Sequence, residues 1–265
     1  MNDNDLSRQP HSPIYRIGMK TRRFRHLVHG AVLFLLLAVP VTVGGESKLA
    51  GPRLRVSLDT FDFGYSPQHA QVAHVFWMRN TGTETAIIER VKTNCGCTQA
   101  PLADSVIAPG DSTSIEIVLG TGRMLGSIEK YTRVMSNAIG WVPALTIRAH
   151  VLDNMSEGPP VAAEPSAAFI DPDDTPAEVG GWWEYPVTLR NGSGRAVTLT
   201  AVYVPDDFIH LPASEFTVPA GGSRDLTLRI APSVLEQPYS KSVTFELDDA
   251  ERTRLTLPFG KRPPH

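Results

Sequence analysis

Residues 72–91 read VAHVFWMRNTGTETAIIERV, and this stretch decides the fold class. Two short runs, 72–78 and 86–91, alternate apolar and polar side chains with the two-residue period of a half-buried strand. Between them stands Asn80-Thr81-Gly82, whose asparagine and glycine favour the positive φ of a tight turn. The stretch therefore predicts two antiparallel strands joined by that turn.

The same pattern recurs along the rest of the chain. Short alternating runs, such as 114–119 and 145–151, are broken by Gly, Pro, Asn and Asp about every ten residues. No segment after residue 45 shows the period of a long amphipathic helix. The even spacing of short strands predicts antiparallel sandwiches of about 100 residues each, with an immunoglobulin-like architecture.

An internal repeat predicts that this sandwich occurs twice. Arg79-Asn80-Thr81-Gly82 corresponds to Arg190-Asn191-Gly192-Ser193, and residues 107–112 correspond to 218–223. Both correspondences shift the numbering by 111 (191 minus 80, and 223 minus 112). A constant shift between matching turns indicates one fold that has been duplicated.

A polar stretch at 153–167 separates the two copies. It contains Gly158-Pro159-Pro160 and shows no apolar period, so we predict a short, stiff linker. The first immunoglobulin-like domain is then expected at 54–152 and the second, without cysteines, at 168–260. The predicted fold class is all-β: two tandem immunoglobulin-like antiparallel β-sandwiches after an N-terminal apolar targeting helix.

Residues 1–45 are typical of a targeting segment, either a signal peptide or a membrane anchor. Small or modest side chains at the two positions that a signal peptidase reads predict cleavage before Glu46. An uncleaved anchor is the alternative, because 27–45 contains no Lys, Arg, Asp or Glu and approaches the roughly 20 residues of a membrane helix. Either form places the protein outside the cytoplasm, in the periplasm or at the cell surface. The apolar run, 31–43, follows four cationic side chains: Lys20, Arg22, Arg23 and Arg25.

Charge and composition narrow the range of partners. Beyond residue 45 the chain carries 19 Lys plus Arg against 26 Asp plus Glu, a net charge of −7. A mildly acidic body without a basic stripe is not expected to bind nucleic acid or an anionic membrane surface. We expect an unknown protein or envelope component as partner, membrane contact only through 27–45 if that segment is retained, and no cofactor.

Cys95-Gly96-Cys97 is the candidate chemical site, because these are the only two cysteines of the chain. In an oxidising compartment, thiols placed this close join or hold a soft metal. The shift of 111 residues aligns them with Asp206 and Phe208. The second copy therefore lacks the pair.

Four interpretations of this pair remain open, the last of which is a surface recognised by an unknown partner. A disulfide across one residue needs a turn, which Gly96 permits, and its minimal ring adds little chain entropy, so the bond suits thiol exchange better than stapling. Topology predicts that the loops carrying Arg123, Met124 and His69 share the cysteine end of the sandwich. Arg123 would favour the thiolate, while Met124 or His69 could complete a Cu(I) shell around reduced sulfurs. The third interpretation is a structural corner with the sulfurs packed against the core.

His74 is the other residue that invites a functional interpretation. It alternates with Phe76 and Met78 towards the predicted interior. We therefore predict a core histidine with its hydrogen bonds satisfied rather than a ligand.

A set of short motifs follows a characteristic order in the first half: Phe61-Asp62-Phe63-Gly64, His74, Phe76, Asn80-Thr81-Gly82, Asn94-Cys95-Gly96-Cys97-Thr98, Ile107, Pro109-Gly110-Asp111-Ser112, Gly122-Arg123 and Gly126. In this order and spacing, residues 54–151 resemble a bacterial family of unknown function whose signature is a Cys-Gly-Cys-Thr motif in an immunoglobulin-like domain, related to the ASH and major-sperm-protein-like domains. The resemblance implies an immunoglobulin-like fold and an extracytoplasmic setting, and no known activity. The second half departs from it at the cysteines.

Together these features predict an exported, non-enzymatic binding or structural module. The sequence contains no Gly-x-Ser-x-Gly, no phosphate-cradling glycine loop and no spaced His-Glu-His set that could carry hydrolase or nucleotide chemistry, so we assign no catalytic residue. The alternative is a thiol-redox or Cu(I)-handling protein that uses Cys95 and Cys97.

Overall fold

The computed structural model describes residues 50–166, 168–170, 182–205, 208–231 and 240–261. Within these ranges the secondary structure is β-strand, apart from turns and a short 3₁₀ turn at Met155–Glu157. The predicted all-β fold class is confirmed. The predicted targeting helix lies outside the described residues, and within them no helix is long and apolar enough to cross a membrane.

The first sandwich is built from the strands β1 (Leu54–Val56), β2 (Thr60–Pro67), β3 (Gln71–Asn80), β4 (Ala86–Thr93), β5 (Thr98–Gln99), β6 (Val106–Ile107), β7 (Ser112–Gly120), β8 (Gly126–Ser136) and β9 (Leu145–Leu152). One sheet has the strand order β1-β3-β7-β5, and the other has the order β2-β9-β8-β4-β6. Neighbouring strands are antiparallel except β2 and β9, which run in parallel.

The two-residue period of the sequence places one apolar core between these sheets. Phe76 and Met78 of β3 are buried, as the alternation predicted. Phe63 of β2 and Ile147 of β9 reach the same core from the opposing sheet. Burial of such large side chains supplies the main stabilisation of a sandwich of this size.

The second sandwich is built from the strands β10 (Val161–Glu164), β11 (Ala168–Ile170), β12 (Trp183–Asn191), β13 (Val197–Tyr203), β14 (Ile209–His210), β15 (Glu215–Val218), β16 (Ser223–Ile230), β17 (Ser240–Leu247) and β18 (Arg254–Lys261). One sheet has the order β10-β12-β16-β14, and β15, β13, β17 and β18 form the other, with β11 parallel to β18. A second, separate apolar core lies between them.

The structure confirms the repeat at the level of single elements. β4 begins at Ala86 and its counterpart β13 at Val197, again 111 residues later. The side-chain amide of each turn asparagine, Asn80 and Asn191, donates to one carbonyl four residues on and to another 27 residues on. Each asparagine oxygen accepts the backbone amide two residues on. The two copies therefore use the same side chain to fix the same turn.

Part of the stretch predicted as a linker belongs to the second sandwich. Within 153–167, strand β10 pairs with β12, with Val161 opposite Asn191. Val161 and Ala163 are buried in the second core. Composition hid this strand, because it is only four residues long and prolines lie on both sides of it.

The two sandwiches also share a sheet and an interface. β18 pairs in parallel with β2 through Leu255 and Tyr65, so one long sheet passes through both sandwiches. β17 is buried along nearly its whole length. Val243 and Phe245 point into the second core, whereas Ser242, on the other face of the strand, contacts the first sandwich. The interface makes residues 50–261 one compact unit rather than two modules on a linker.

Hydroxyl groups of the second sandwich bond the backbone edge of β3. The Ser242 hydroxyl accepts from the Ala73 amide at 3.1 Å and donates to the Ala73 carbonyl at 2.8 Å. The Tyr203 hydroxyl accepts from the Val75 amide at 3.2 Å. β1 pairs with β3 only at residues 78–80. These hydroxyls therefore satisfy groups that would otherwise be buried without partners at the junction.

Charged and polar contacts complete the junction. The Lys241 ammonium lies 2.5 Å from a Glu116 carboxylate oxygen and 4.3 Å from the centre of the Phe208 ring. The Thr256 hydroxyl donates to the Phe63 carbonyl at 2.5 Å. The Lys241–Glu116 and Thr256–Phe63 contacts are largely buried and span the two halves, so they oppose separation of the sandwiches.

Candidate functional site

The cysteines lie in the short loop between β4 and β5. The Cys97 carbonyl accepts from the Gly120 amide at 2.9 Å, and the Cys95 carbonyl accepts from the Thr93 hydroxyl at 3.2 Å. Asn94 exchanges two hydrogen bonds with the backbone of Tyr131, at 3.1 and 3.2 Å. The loop is thus fixed to β4, β7 and β8, which places the cysteines on rigid elements.

Cys95 and Cys97 form a disulfide, with 5.3 Å between their Cα atoms. Both side chains are half-buried, and Gly96 between them is exposed. Cys97 packs against the core of the first sandwich. The arrangement has features of both the structural corner and the thiol-exchange site, because Cys97 packs against the core while the half-buried disulfide remains partly exposed to solvent.

Thr98 is a neighbour to which the sequence analysis assigned no role. Its buried hydroxyl lies 3.4 Å from the Cys95 sulfur and 3.7 Å from the Cys97 sulfur. A hydroxyl at this distance can donate to either sulfur and would stabilise a thiolate if the bond opened. Its place as the last residue of the Cys95-Gly96-Cys97-Thr98 motif was the available signal.

The structure brings the predicted loops to the cysteine end. The His69 amide donates to the Gly122 carbonyl at 2.9 Å, which joins the loop before β3 to the loop after β7. Met124 and Cys97 both pack against the first core. In the part of the chain that the structure describes, no hydrogen bond or ion pair links Arg123 or His69 to the sulfurs, and no group of three or more His, Cys, Asp or Glu side chains is placed to hold a metal ion.

The expected role of Gly96 in the turn is wrong. Its φ is not positive, and a Cβ built on it would meet no atom within 4 Å. The turn closes with a backbone that other residues can adopt, because the disulfide ring needs only a close approach of the two Cα atoms. A side chain at position 96 would therefore meet no neighbouring atom.

A cleft of about 760 Å³ lies at the junction of the two sandwiches. The first sandwich supplies exposed apolar side chains from the outer face of β3 and from nearby loops, and the second supplies the opposite wall. Sequence reasoning missed the cleft, because no local pattern shows how two sandwiches will pack. The side chains that define it are Leu58, Trp77, Leu102, Tyr203, Phe208 and Lys241.

His74 lies between the first core and this cleft. Its ring stacks on Phe61 with 3.7 Å between centroids and lies 4.4 Å from the Tyr203 ring. Its interior position agrees with the prediction, but its Nδ1 is buried with no hydrogen-bond partner in the described part of the chain, which contradicts the expected satisfied histidine. Burial, and then the charge of Arg254, lower the pKa of His74 to about 3.

Solved structures that this chain matches include a protein of unknown function from Porphyromonas gingivalis W83, at 13% identity, covering 79% of this chain and 99% of that one with a TM-score of 0.31. The major-sperm-protein-domain protein SSP-19 of Caenorhabditis elegans matches at 13% identity over 38% of this chain and 99% of its own, with a TM-score of 0.30. The periplasmic chaperone SfaE matches at 11% identity over 79% of this chain and 100% of its own, with a TM-score of 0.29.

Sequence comparison gives one family and no characterised relative. No curated protein matches the chain. The span for which the motifs indicated a resemblance is the first sandwich, up to the last residue but one of β9. Residues 54–151 match the family described as a protein of unknown function (DUF1573).

Proposed function

We propose that this protein is an exported, non-enzymatic binding module in the periplasm or at the cell surface, and that its two sandwiches present one composite binding surface. The cations and apolar run of residues 1–45 support export. The observation that carries the binding function is the cleft at the junction. Pockets of this size at domain boundaries commonly bind ligands or partners.

The cleft is preformed, which favours binding. Glu116 from one side and Lys241 from the other form an ion pair across the junction, so the two walls cannot separate without breaking it. Trp77 and Leu58 both line the cleft, and they are 54% and 43% exposed. Large apolar side chains exposed at a rigid concave surface are typical of a protein interaction site. The expected partner is a protein or another envelope component.

Site-specific photo-crosslinking tests this proposal. Benzoylphenylalanine is placed at Leu58, in the cleft, and at Glu215, an exposed position of β15, in the full chain expressed in its host. We expect an adduct of one defined mass from position 58, lost in the presence of Trp77→Ala. Adducts of equal yield from both positions, or none from position 58, would argue against the cleft.

Thiol exchange is the second candidate function, and the Thr98 hydroxyl beside an accessible disulfide favours it. A substrate thiolate would attack one sulfur, forming a mixed disulfide and releasing the other sulfur as a thiolate near that hydroxyl. A second substrate thiol would then displace the protein, so that the substrate dithiol is oxidised and Cys95 and Cys97 are reduced. Handling of Cu(I) requires the same reduced pair and remains the third possibility predicted from the sequence.

A further inference from the structure

One outer face of the first sandwich combines exposed aromatic, apolar and cationic side chains. Tyr131, Arg133 and Met135 point outward from β8 and surround a shallow cavity of about 430 Å³ together with Trp141 of the following loop. Trp141 is 85% exposed and Met135 49% exposed. We call this surface, with the adjoining outward residues of β4, the β8 face.

Cationic side chains of the β8 face occupy neighbouring cross-strand positions. Lys92 of β4 lies directly opposite Arg133 of β8, and Arg90 lies opposite Met135. None of the three cations forms an ion pair with a carboxylate within the described residues, whereas Arg148 on the same sheet pairs with Glu129 at 2.7 Å. Like charges opposite each other destabilise a sheet. Arg55 and Arg79 of the other sheet lie opposite each other in the same way, so the pairing alone does not indicate a ligand. On the β8 face, however, the unpaired cations adjoin exposed Trp141 and Met135, and this combination suits an anionic, amphipathic ligand.

The β8 face also lies near the point where the chain enters the first sandwich. The amide of Ile139, an exposed residue of the loop after β8, donates to the Pro52 carbonyl at 2.8 Å. In sequence, the apolar stretch 27–45 ends six residues before Gly51. Six extended residues reach at most about 20 Å. If a membrane retains that stretch, the length of chain alone keeps Gly51, where the described chain enters the first sandwich, within about that distance of the membrane.

We propose that the β8 face docks on the surface of an anionic phospholipid bilayer. Trp141 and Met135 enter the headgroup region, where amphipathic aromatic side chains are favoured. Arg90, Lys92 and Arg133 pair with lipid phosphates. Membrane contact then extends beyond residues 27–45, and a local cationic patch outweighs the net negative charge of the body at short range. The inference relies on export and not on what occupies the cleft.

Vesicle binding of the exported protein tests this surface. Flotation with vesicles of phosphatidylcholine alone is compared with flotation with vesicles that also contain phosphatidylglycerol. We expect tighter binding to the anionic vesicles, weakened by salt, and a loss of roughly tenfold or more in a variant that combines Arg90→Gln, Lys92→Gln and Arg133→Gln. The matched control combines Arg55→Gln with Arg79→Gln, two exposed cations of the other sheet, and should change binding by less than about twofold.

Tryptophan quenching gives a readout that still works if the apolar stretch is retained in the vesicle. Brominated phosphatidylglycerol should quench the fluorescence component that Trp141→Ser removes, and spare the component that Trp77→Ser removes. Circular dichroism melts confirm that each variant folds, which the exposure of both tryptophans leads us to expect.

Three results would overturn the proposal. The first is equal binding to both kinds of vesicle, with no quenching of Trp141. The second is loss of vesicle binding in Trp77→Ser but not in the β8 variants, which would assign lipid contact to the cleft. The third is binding of a single-stranded oligonucleotide as tight as that of anionic vesicles, which would make the face a general polyanion surface. Crosslinking from Leu58 is independent of all three, so failure of the cleft and failure of the β8 face are distinguishable.

Discussion

At the scale of single residues, His74 shows how burial fixes a protonation state. Protonation would place a cation between the Phe61 and Tyr203 rings, away from water. The pKa of His74 in the folded protein is about 3, whereas an unperturbed histidine titrates near 6.5. As the pH falls, the unfolded chain therefore binds the proton first, and folding becomes less favourable.

We predict that His74 lowers stability in acid. The penalty is absent above pH 6.5 and grows as the pH falls from about 6.5 towards 3, by at most about 1.4 kcal/mol per pH unit. Between about pH 7 and about pH 4.5, denaturant melts should show wild type losing about 2 to 3 kcal/mol more than His74→Phe. The matched control is His210→Phe, at an exposed histidine, which should follow wild type. Parallel profiles for wild type and His74→Phe would contradict the prediction.

The disulfide should contribute little to the stability of the fold. Its ring spans three residues, for which the loss of chain entropy amounts to no more than about 2 kcal/mol. We predict that the double substitution Cys95→Ser with Cys97→Ser leaves the protein folded, with a loss no larger than this in denaturant melts. Alkylation mass spectrometry and a Cu(I) competition titration on wild type show whether the pair exchanges thiols or takes up copper. Global unfolding of the double variant would show that the pair is structural.

Substitution of two glycines by alanine should have very different effects on the stability of the fold. Gly96 has open space where a Cβ would go, so Gly96→Ala should change the unfolding free energy by less than about 0.5 kcal/mol. At Gly64, φ is +63° and a Cβ would lie 2.2 Å from the Arg254 carbonyl oxygen, so Gly64→Ala should cost about 2 kcal/mol or more. Thermal melts of the two variants test the contrast. A loss of stability in Gly96→Ala as large as that expected for Gly64→Ala would mean that the cysteine turn requires its glycine.

At the scale of elements, the edge of β3 depends on a strand that lies far away in the sequence. Ser242 of β17 supplies one hydroxyl that bonds both the amide and the carbonyl of Ala73. A serine in an alternating strand ordinarily lies on the solvent face, so alternation alone would indicate that β17 is half-exposed. Burial on both faces follows from packing between the sandwiches, which local periodicity does not encode.

We predict that Ser242→Val destabilises the junction. Valine fills the space but leaves two buried backbone groups without partners, at a cost of about 2 to 4 kcal/mol in the unfolding free energy. Hydrogen exchange should accelerate at the Ala73 amide in particular. Thr188→Val, which removes an exposed hydroxyl from β12, is the control and should cost about 0.5 kcal/mol or less. Unchanged exchange at Ala73 would show that the hydroxyl does not hold the edge.

At the scale of the whole molecule, the halves should behave differently when separated. The fragment 153–265 contains β10 and its own core, so we predict that it folds alone. The fragment 50–152 would expose the edge of β3 around Ala73, and such an edge pairs with other chains. Sedimentation should show self-association of 50–152 and a one-to-one complex when both fragments are mixed. A monomeric, folded 50–152 would mean that the junction is dispensable.

The sequence was informative where structure follows from local pattern. Strands such as β3 and β4, the turns at Asn80 and Asn191 and the cysteine end of the sandwich were all predictable, because alternation and turn chemistry act over a few residues. The cleft, the shared sheet and the β8 face were not. They arise from contacts between segments such as β3 and β17, more than 160 residues apart in the chain, and from charges that only the strand register brings together.

The shared sheet has a mechanical consequence. Because β2 and β18 belong to one sheet and the hydroxyls of β17 bond the edge of β3, the two halves cannot swing as beads on a string do. The two sandwiches should therefore keep a fixed relative orientation, so that anything bound to one sandwich determines the direction in which the other one points. Anything seated between the halves would then be presented in a constant orientation relative to both sandwiches.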